Sequence, residues 1–339
     1  MILVTGSTGL VGSHLIFDLL TKGYQVKALV RKSSDKNRIL QTFKFYSTNA
    51  EQLFNKIFWA EGDVTDIIGL DEAFADVEHV YHTAAFVSFY HSDRKKISQV
   101  NVDGTANIVN LCLDKNISKL CFVSSIAALG SAEDGSVITE NSLWKPSKNL
   151  SAYSVSKFKA EMEVWRGITE GLNAVIVNPS VILGPDFWGD NSASAFRLID
   201  KGLSFYTSGT TGFVDVKDVT KAMIRLMESD ISNERFILSS ENITYQLFFQ
   251  MIAGSLHGKP PHIPLTPFMA GIAWRLEFLR SLLTFSSPKI TRNTMDIAFK
   301  KLAYSSEKVK SLLNIEMVPI ETTINELSIY YQSFKKAKQ

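Results

Sequence analysis

Tyr153 and Lys157 stand four residues apart in a stretch with helical patterning, so one turn separates them on a single helix face. Tyrosine is a poor acid near neutral pH, with a free pKa of about 10. An ammonium group beside it favours the phenolate, and moving tyrosine toward pH 7 requires about 4 kcal/mol of differential stabilisation. Such a pair suits proton transfer to or from a substrate oxygen. A serine at the end of the apolar run Lys119–Ser124 would hold and polarise a carbonyl, and Ser124 and Ser125 both offer a hydroxyl there. A Tyr and a Lys at this spacing are common on helix surfaces. Their conjunction with the serine pair and the loop described next is not.

The segment Gly6-Ser7-Thr8-Gly9-Leu10-Val11-Gly12 follows an apolar run and opens a helical pattern. Glycines at this spacing permit a tight turn, close approach of backbone to a pyrophosphate, and packing of helix on strand. The anion then rests on free N–H groups at the positive end of the helix. About 20 residues beyond such a loop, an enzyme using NAD carries Asp or Glu for the ribose 2′-hydroxyl. That place holds Arg31, followed by Lys32, and two cations suit a 2′-phosphate. NADP(H) is therefore favoured, with NAD(H) the alternative. Asp63, in Gly62-Asp63-Val64, either reaches the adenine amino group or forms a plain turn.

These residues require a scaffold, and the first half supplies an alternation of short apolar runs and helical patterns. Strands are expected at Ile2–Thr5, Gln25–Val30, Ile57–Ala60, His79–Thr83, Lys119–Ser124 and Ala174–Asn178. Helices are expected at Leu10–Lys22, from Lys96 to Lys115, and at Ser151–Glu170. Strands this uniformly apolar belong in a parallel sheet covered on both faces, so the fold class is α/β. Beyond Pro179 the pattern loosens. Phe213–Val216 reads as a return to the sheet, followed by a helix at Lys217–Glu228 and a strand at Arg235–Leu238. A cofactor domain of residues 1–180, with returns near 213–239, and a mostly helical substrate domain of 181–212 and 240–339 are expected.

Composition narrows the function classes. Among 339 residues, 36 Lys and Arg balance 34 Asp and Glu, leaving a net charge of +2, which supplies no concentrated field for nucleic acid. The basic tail Lys335, Lys336 and Lys338 reads as a solvated end. Cys112 and Cys121 sit in apolar runs, where a buried free thiol is the default. His79 and His82 lack metal-ligand partners nearby, so no metal is expected. No signal peptide is read, and the apolar window Ile263–Phe285 is broken by Arg275, Glu277 and Arg280. A cytoplasmic protein without a transmembrane segment is expected.

Taken together the motifs resemble the extended short-chain dehydrogenase/reductase family, also called the NAD-dependent epimerase/dehydratase superfamily. The resemblance rests on TGSTGLVG from Thr5, GDVTD at 62–66, HTAA at 82–85 and NVDGT at 101–105. It continues through FVSSIAALG at 122–130, YSVSK at 153–157, NPSVILGP at 178–185 and FVDVKDV at 213–219. The resemblance implies a Rossmann-type doubly wound sheet. It also implies that Ser125, rather than Ser124, is the catalytic serine, with Tyr153 as proton donor or acceptor and Lys157 as its activator. It places Gly6, Thr8, Gly9, Leu10, Val11, Gly12, Arg31, Lys32, Asp63, Val64, Thr83, Ala84, Ala85, Pro179, Ser180 and Val181, together with Tyr153 and Lys157, around the cofactor. Asn101 looks like the asparagine that supports the long helix.

Within the family the chain is most similar to dihydroflavonol-reductase-like enzymes, which reduce ketones or aldehydes with NADPH. Sugar-nucleotide epimerases and 3β-hydroxysteroid dehydrogenases are the enzymatic alternatives. A redox-sensing regulator is the alternative outside catalysis. Two departures disfavour a sugar nucleotide: Thr210-Thr211-Gly212 lacks an arginine for a diphosphate, and Ile126-Ala127-Ala128 lacks an acid. Phe187, Trp188, Phe196, Phe205 and Tyr206 suggest an aromatic, apolar substrate pocket. The resemblance further implies a homodimer through the helices of Lys96–Lys115 and Ser151–Glu170.

Overall fold

The computed structural model describes residues 1–88, 90–130, 136–145, 150–185, 194–284 and 292–337. The first half supplies β1 (Ile2–Thr5), β2 (Val26–Val30), β3 (Phe58–Glu61), β4 (His79–His82), β5 (Lys119–Val123) and β6 (Ala174–Pro179). The second half adds β7 (Val181–Leu183), β8 (Phe205–Tyr206), β9 (Thr210–Asp215), β10 (Glu234–Leu238), β11 (Glu241–Thr244) and β12 (Ile263–Pro264). Seven of these strands form one sheet in the order β10-β6-β5-β4-β1-β2-β3, and every pairing in it is parallel. All residues of β1, β5 and β6 are buried, as a sheet covered on both faces demands, whereas the edge strand β3 is partly exposed.

Helices α1 (Leu10–Thr21), α2 (Asn37–Tyr46), α3 (Ala50–Phe54), α4 (Ile67–Asp71), α5 (Arg94–Ser98), α6 (Gly104–Asp114) and α7 (Ala152–Thr169) belong to the first half. The remainder are α8 (Ser194–Asp200), α9 (Val216–Glu228), α10 (Tyr245–Ser255), α11 (Pro267–Thr284), α12 (Arg292–Ala298), α13 (Glu307–Leu313) and α14 (Ile320–Ala337). Leu15, Ile16 and Leu19 of α1 and Val219 and Met223 of α9 cover one face of the sheet. Ile108 and Val109 of α6 with Ala160 and Val164 of α7 cover the other. The long helix expected from Lys96 to Lys115 is α5 and α6 joined by a π-helical turn, Gln99–Asp103, with Asn101 buried in it. Lys119 is buried at the start of β5. Its ammonium donates to the carbonyls of Leu226 and Ser229, both at 2.7 Å, and so caps the negative end of α9.

The expected return of Phe213–Val216 to the large sheet does not occur. Thr210–Asp215 is instead the centre of a separate sheet, β11-β9-β7, parallel to β7 and antiparallel to β11. One face of it packs with the second half, where Leu183, Phe196, Phe213, Phe248, Ile252 and Ile324 form a core of their own, while Val214 and Ile182 join the core of the large sheet. By contrast, the strand expected at Arg235–Leu238 does join the large sheet, beside β6. Among the described residues no helix is long and apolar enough to cross a membrane. Both cysteines are buried and free.

Candidate active site

Sheet order reverses between β1 and β4, which leave their neighbours in opposite directions. In doubly wound sheets the crevice at that switch point, outside the carboxyl ends of the strands, is where ligands bind. Gly6 ends β1 there with φ of +67°, and a Cβ on it would lie 2.6 Å from the Ala84 nitrogen beyond β4. A Cβ on Gly12 would lie 2.3 Å from the Gly6 carbonyl oxygen. The loop therefore folds onto itself in a way that no side chain permits. Gly9 donates to the Gly6 carbonyl at 2.9 Å, and the first intrahelical bond of α1 runs from Ser13 to Gly9. The N–H groups of Leu10, Val11 and Gly12 precede it and face the crevice without helical partners. That cradle fits a pyrophosphate.

The second cluster lies at the ends of β5 and β6 and the start of α7. Ser151 caps α7 by accepting from the Ser154 N–H at 3.0 Å, and so fixes where its first turn begins. Tyr153, in that turn, is hydrogen-bonded to the Ser125 hydroxyl. Ser125 also accepts from the Ala127 N–H at 3.1 Å, closing a tight turn, Ile126–Ala128, beyond β5. Burial pushes the Tyr153 phenol up, and the Ser125 bond pulls it down. The expected lowering of Tyr153 by Lys157 is therefore not what governs the phenol here. Lys157, one turn on, donates to the Val123 carbonyl at 2.8 Å and lies 4.7 Å from the Phe122 ring centroid. It is 2% exposed, and burial pushes its ammonium down to about 8, against the pull of Glu161. Of the two serines, Ser125 faces Tyr153, whereas Ser124 turns inward to donate to Glu161 at 2.6 Å.

Residues 2–238 match the NAD dependent epimerase/dehydratase family. The chain belongs to that family. It is similar to a putative dihydroflavonol 4-reductase of Synechocystis sp., 28% identical over 340 residues that cover 97% of this chain and 94% of that protein. The solved structure of gox2253 superposes with a TM-score of 0.81 at 27% identity, covering 98% of each chain. The UDP-glucose 4-epimerase of Thermotoga maritima, solved with UDP-glucose, gives a TM-score of 0.76 over 98% of this chain and 99% of that one. Its identity is 21%, so it attests the fold alone. As a member of the family, the chain is an enzyme of the NAD(P)-dependent oxidoreductase type.

The remaining residues expected around the family's cofactor are distributed unevenly. Arg31 and Lys32 lie exposed beyond the end of β2, where the Ser34 hydroxyl accepts from the Arg31 N–H at 3.1 Å. Asp63 forms a turn, accepting from the N–H and hydroxyl of Thr65 at 2.9 and 2.8 Å. The plain-turn explanation thus accounts for one of its oxygens. Val64 is buried, and its side chain would lie 2.8 Å from a Cβ on Gly104, so it packs the long helix. The Thr83 hydroxyl donates to the Thr5 carbonyl at 2.7 Å, joining β4 to β1 below the loop, while Ala85 is exposed. Beyond β6, the buried Ser180 hydroxyl has no hydrogen-bond partner and sits near Gly212 and Ser239.

Of the five aromatic residues suggested for a substrate pocket, core packing being the commoner reading of such residues, Tyr206 is half-buried in β8. Phe196 is fully buried beside Tyr331, Phe205 is exposed, and Phe187 and Trp188 lie outside the described residues.

Two buried polar residues beneath the site carry more than their sequence context suggests. His82 accepts from the Thr5 hydroxyl at Nδ1, 2.7 Å away, and donates from Nε2 to the Thr105 hydroxyl at 3.0 Å. Donor accounting fixes that tautomer: Thr105 spends its own proton on the Asn101 carbonyl at 2.6 Å. Burial, then the nearby Lys157, pushes His82 down to about 3, so it is neutral. Asn101 continues the chain, exchanging hydrogen bonds with the backbone of Phe86 and donating to Ser156 at 2.9 Å. The supporting role expected of Asn101 thus has definite partners. The second residue, Glu161, follows Lys157 by one turn. A charged residue on the face shared by Tyr153 and Lys157 was the available signal for it.

Proposed function

We propose that the protein reduces a ketone or aldehyde to an alcohol with NADPH, using Ser125, Tyr153 and Lys157. The observation that carries this reading is the Tyr153–Ser125 hydrogen bond, with a buried Lys157 one turn away at the carboxyl edge of the sheet. A bound nicotinamide supplies hydride to the carbonyl carbon. Ser125 and Tyr153 both hydrogen-bond the carbonyl oxygen, and the Tyr153 hydroxyl gives its proton as negative charge develops there. The Lys157 ammonium stabilises the phenolate left behind. Gly6, Gly9 and Gly12, with the free N–H groups of α1, hold the pyrophosphate. Arg31 and Lys32 take the 2′-phosphate, since both are exposed at the end of β2 where an NAD enzyme places a carboxylate.

The substrate is an uncharged carbonyl compound rather than a sugar nucleotide. The segment expected to carry a diphosphate-gripping arginine is Thr210-Thr211-Gly212, which offers no cation. Beyond the catalytic serine, Ala127 and Ala128 cannot transfer a proton. Similarity to a putative dihydroflavonol 4-reductase supports the same reading. Dissociation constants for NADPH and NADH, followed by turnover of a panel of aryl and alkyl ketones and aldehydes, test it. NADPH binding tighter than NADH and carbonyl-dependent NADPH oxidation are expected. Micromolar binding of a UDP or dTDP sugar to the NADP complex would replace this reading with epimerisation.

A further inference from the structure

We infer that Glu161 is a positioning residue, clamped by Arg235, which fixes the strand end carrying Ser125 and supplies the counter-charge that holds the Lys157 ammonium. The inference rests on the catalytic assignments proposed above. Glu161 is 1% exposed, yet it lies among donors: Ser124 at 2.6 Å and Asn178 at 2.8 Å on one oxygen, Arg235 at 3.0 Å and Trp165 at 3.4 Å on the other. Both oxygens therefore act as acceptors, and four donors converge on them. Asn178 donates in addition to the Ser125 carbonyl at 3.1 Å. Ser125 is thus held from both sides, through its neighbour Ser124 and through its own carbonyl, by groups that converge on a single carboxylate oxygen.

Arg235 extends the clamp toward the substrate side. Its Nε donates to the Glu140 carbonyl at 2.8 Å, and its Nη2 donates to the same oxygen. The Glu140 carboxylate accepts from the Ile237 N–H at 2.9 Å. Two residues earlier, Ile138 exchanges backbone hydrogen bonds with Ala303 and Ser305 at 2.8 and 2.9 Å. One ion pair therefore links the helix of Tyr153 and Lys157, the segment leading to it from Ser125, and the second half of the chain.

The charges facing Lys157 can be named element by element. Its own helix presents Tyr153 and Glu161, and β4 presents His82, which burial keeps neutral. From β5 comes the Val123 carbonyl, from β6 the Asn178 amide, and from β10 Arg235, whose charge Glu161 already meets. The carboxylate that favours the Lys157 ammonium is Glu161. A merely structural Glu161 would support the fold and leave the titration of Lys157 alone.

The test follows Tm against pH for the ligand-free wild type, Lys157→Met, Glu161→Gln and the double variant Glu161→Gln/Arg235→Met. The sign follows from linkage: Lys157 titrates at about 8 when folded and at 10.5 when free, so the unfolded chain binds more protons between those values. Stability from this group therefore rises with pH across that window, and Lys157→Met lacks the rise. In Glu161→Gln the rise should begin at lower pH, by about one unit, because the favourable charge is gone while that of Arg235 stays. The same change strands Arg235 and sets an amide against donors, so it is also expected to melt early. The double variant removes the stranded cation along with the carboxylate, so it restores much of the Tm and its window returns toward that of the wild type. A window unmoved in Glu161→Gln, or displaced equally in both variants, would overturn the inference.

A second arm measures kcat for carbonyl reduction against pH, where the alkaline limb of Glu161→Gln should also shift to lower pH and that of the double variant should lie closer to wild type. Absence of any reductase turnover in the wild type would refute the proposed function, and the Tm arm would still decide the role of Glu161.

Discussion

A Cβ at Gly12 would lie 2.3 Å from a backbone oxygen, whereas one at Gly254 would meet nothing within 4 Å. The first glycine belongs to the cradle proposed for the cofactor, the second to α10 in the half proposed for the substrate. The contrast extends beyond glycine. In the cradle the ligand's place is defined by backbone: φ at Gly6, the close approach of Ala84, and the free N–H groups of α1. In the second half the aromatic side chains proposed for the same work lie apart, Phe196 in a core and Phe205 at the surface. A site made of backbone tolerates few residue types and so leaves a readable trace. A site made of side chains can be built in many ways from the same composition.

The largest effect expected on the cofactor side removes one oxygen. Tyr153→Phe keeps the ring that burial holds in place and deletes the hydroxyl bonded to Ser125. Turnover should fall by about 10²-fold or more, as removal of a general acid does, while the NADPH dissociation constant changes little. Single-turnover kinetics with cofactor fluorescence separate the two. Retention of more than about a tenth of the wild-type rate would mean that another group moves the proton.

Paired glycine variants attack the comparison itself. Gly12→Ala must displace the Gly6 backbone, so cofactor affinity should drop by about tenfold or more, with a lowered Tm. Gly254→Ala sits in the last turn of α10 with open space around it, and should gain about 0.5 kcal/mol or less with cofactor affinity unchanged. Calorimetry and thermal melts of both variants are sufficient. Similar behaviour of the two would erase the distinction between the halves. A smaller change is expected from Arg31→Asp, which should weaken NADPH by about tenfold and spare or improve NADH, through loss of a charge-assisted phosphate contact. Equal wild-type affinities for the two cofactors would remove the basis of that expectation.

The same physics explains what the sequence disclosed of the fold. Strands β1, β5 and β6 are buried on both faces, which their near-continuous apolar runs satisfy, and the polar Thr5, Lys119 and Asn178 near their ends are each hydrogen-bonded. Helix α2 was not foreseen, although Ile39, Thr42 and Phe43 mark its buried face; Leu40, Phe45 and Tyr46, apolar but not fully buried, blur the period. The π-helical turn at Gln99–Asp103 keeps the same hydrophobic spacing as an ordinary helix to within a residue, so nothing in the pattern distinguishes it. Strand β9 looked like part of the main sheet because a strand's residues reveal burial but not which sheet buries them. Glu161 was passed over for a comparable reason: a lone acid in a helix is normally a solvated one. Arg235, 74 positions away, together with Ser124 and Asn178, makes it a buried one.

The junction between the halves offers the smallest and most exacting test. Asp218, on α9, is 3% exposed and accepts from the Val318 N–H at 2.7 Å, tying a helix of the cofactor side to the segment before α14. Burial pushes its carboxyl up to about 6, with Asp215 adding to the rise and the Val318 bond, Lys221 and Lys217 opposing it. The free value is 3.8, so between that pH and about 6 the folded state holds a proton that the unfolded chain has released. Stability from this group is therefore complete below the free value and is lost as pH rises through the folded one. Asp218→Asn keeps an acceptor oxygen for Val318 and carries no charge. The variant's Tm should draw ahead of wild type from pH 4 to pH 6 by a few degrees, then stay ahead by a constant margin to pH 8. A gap that does not change with pH would show that the carboxylate is better solvated than its burial implies. The tie between the two halves would then be a surface contact rather than a buried one.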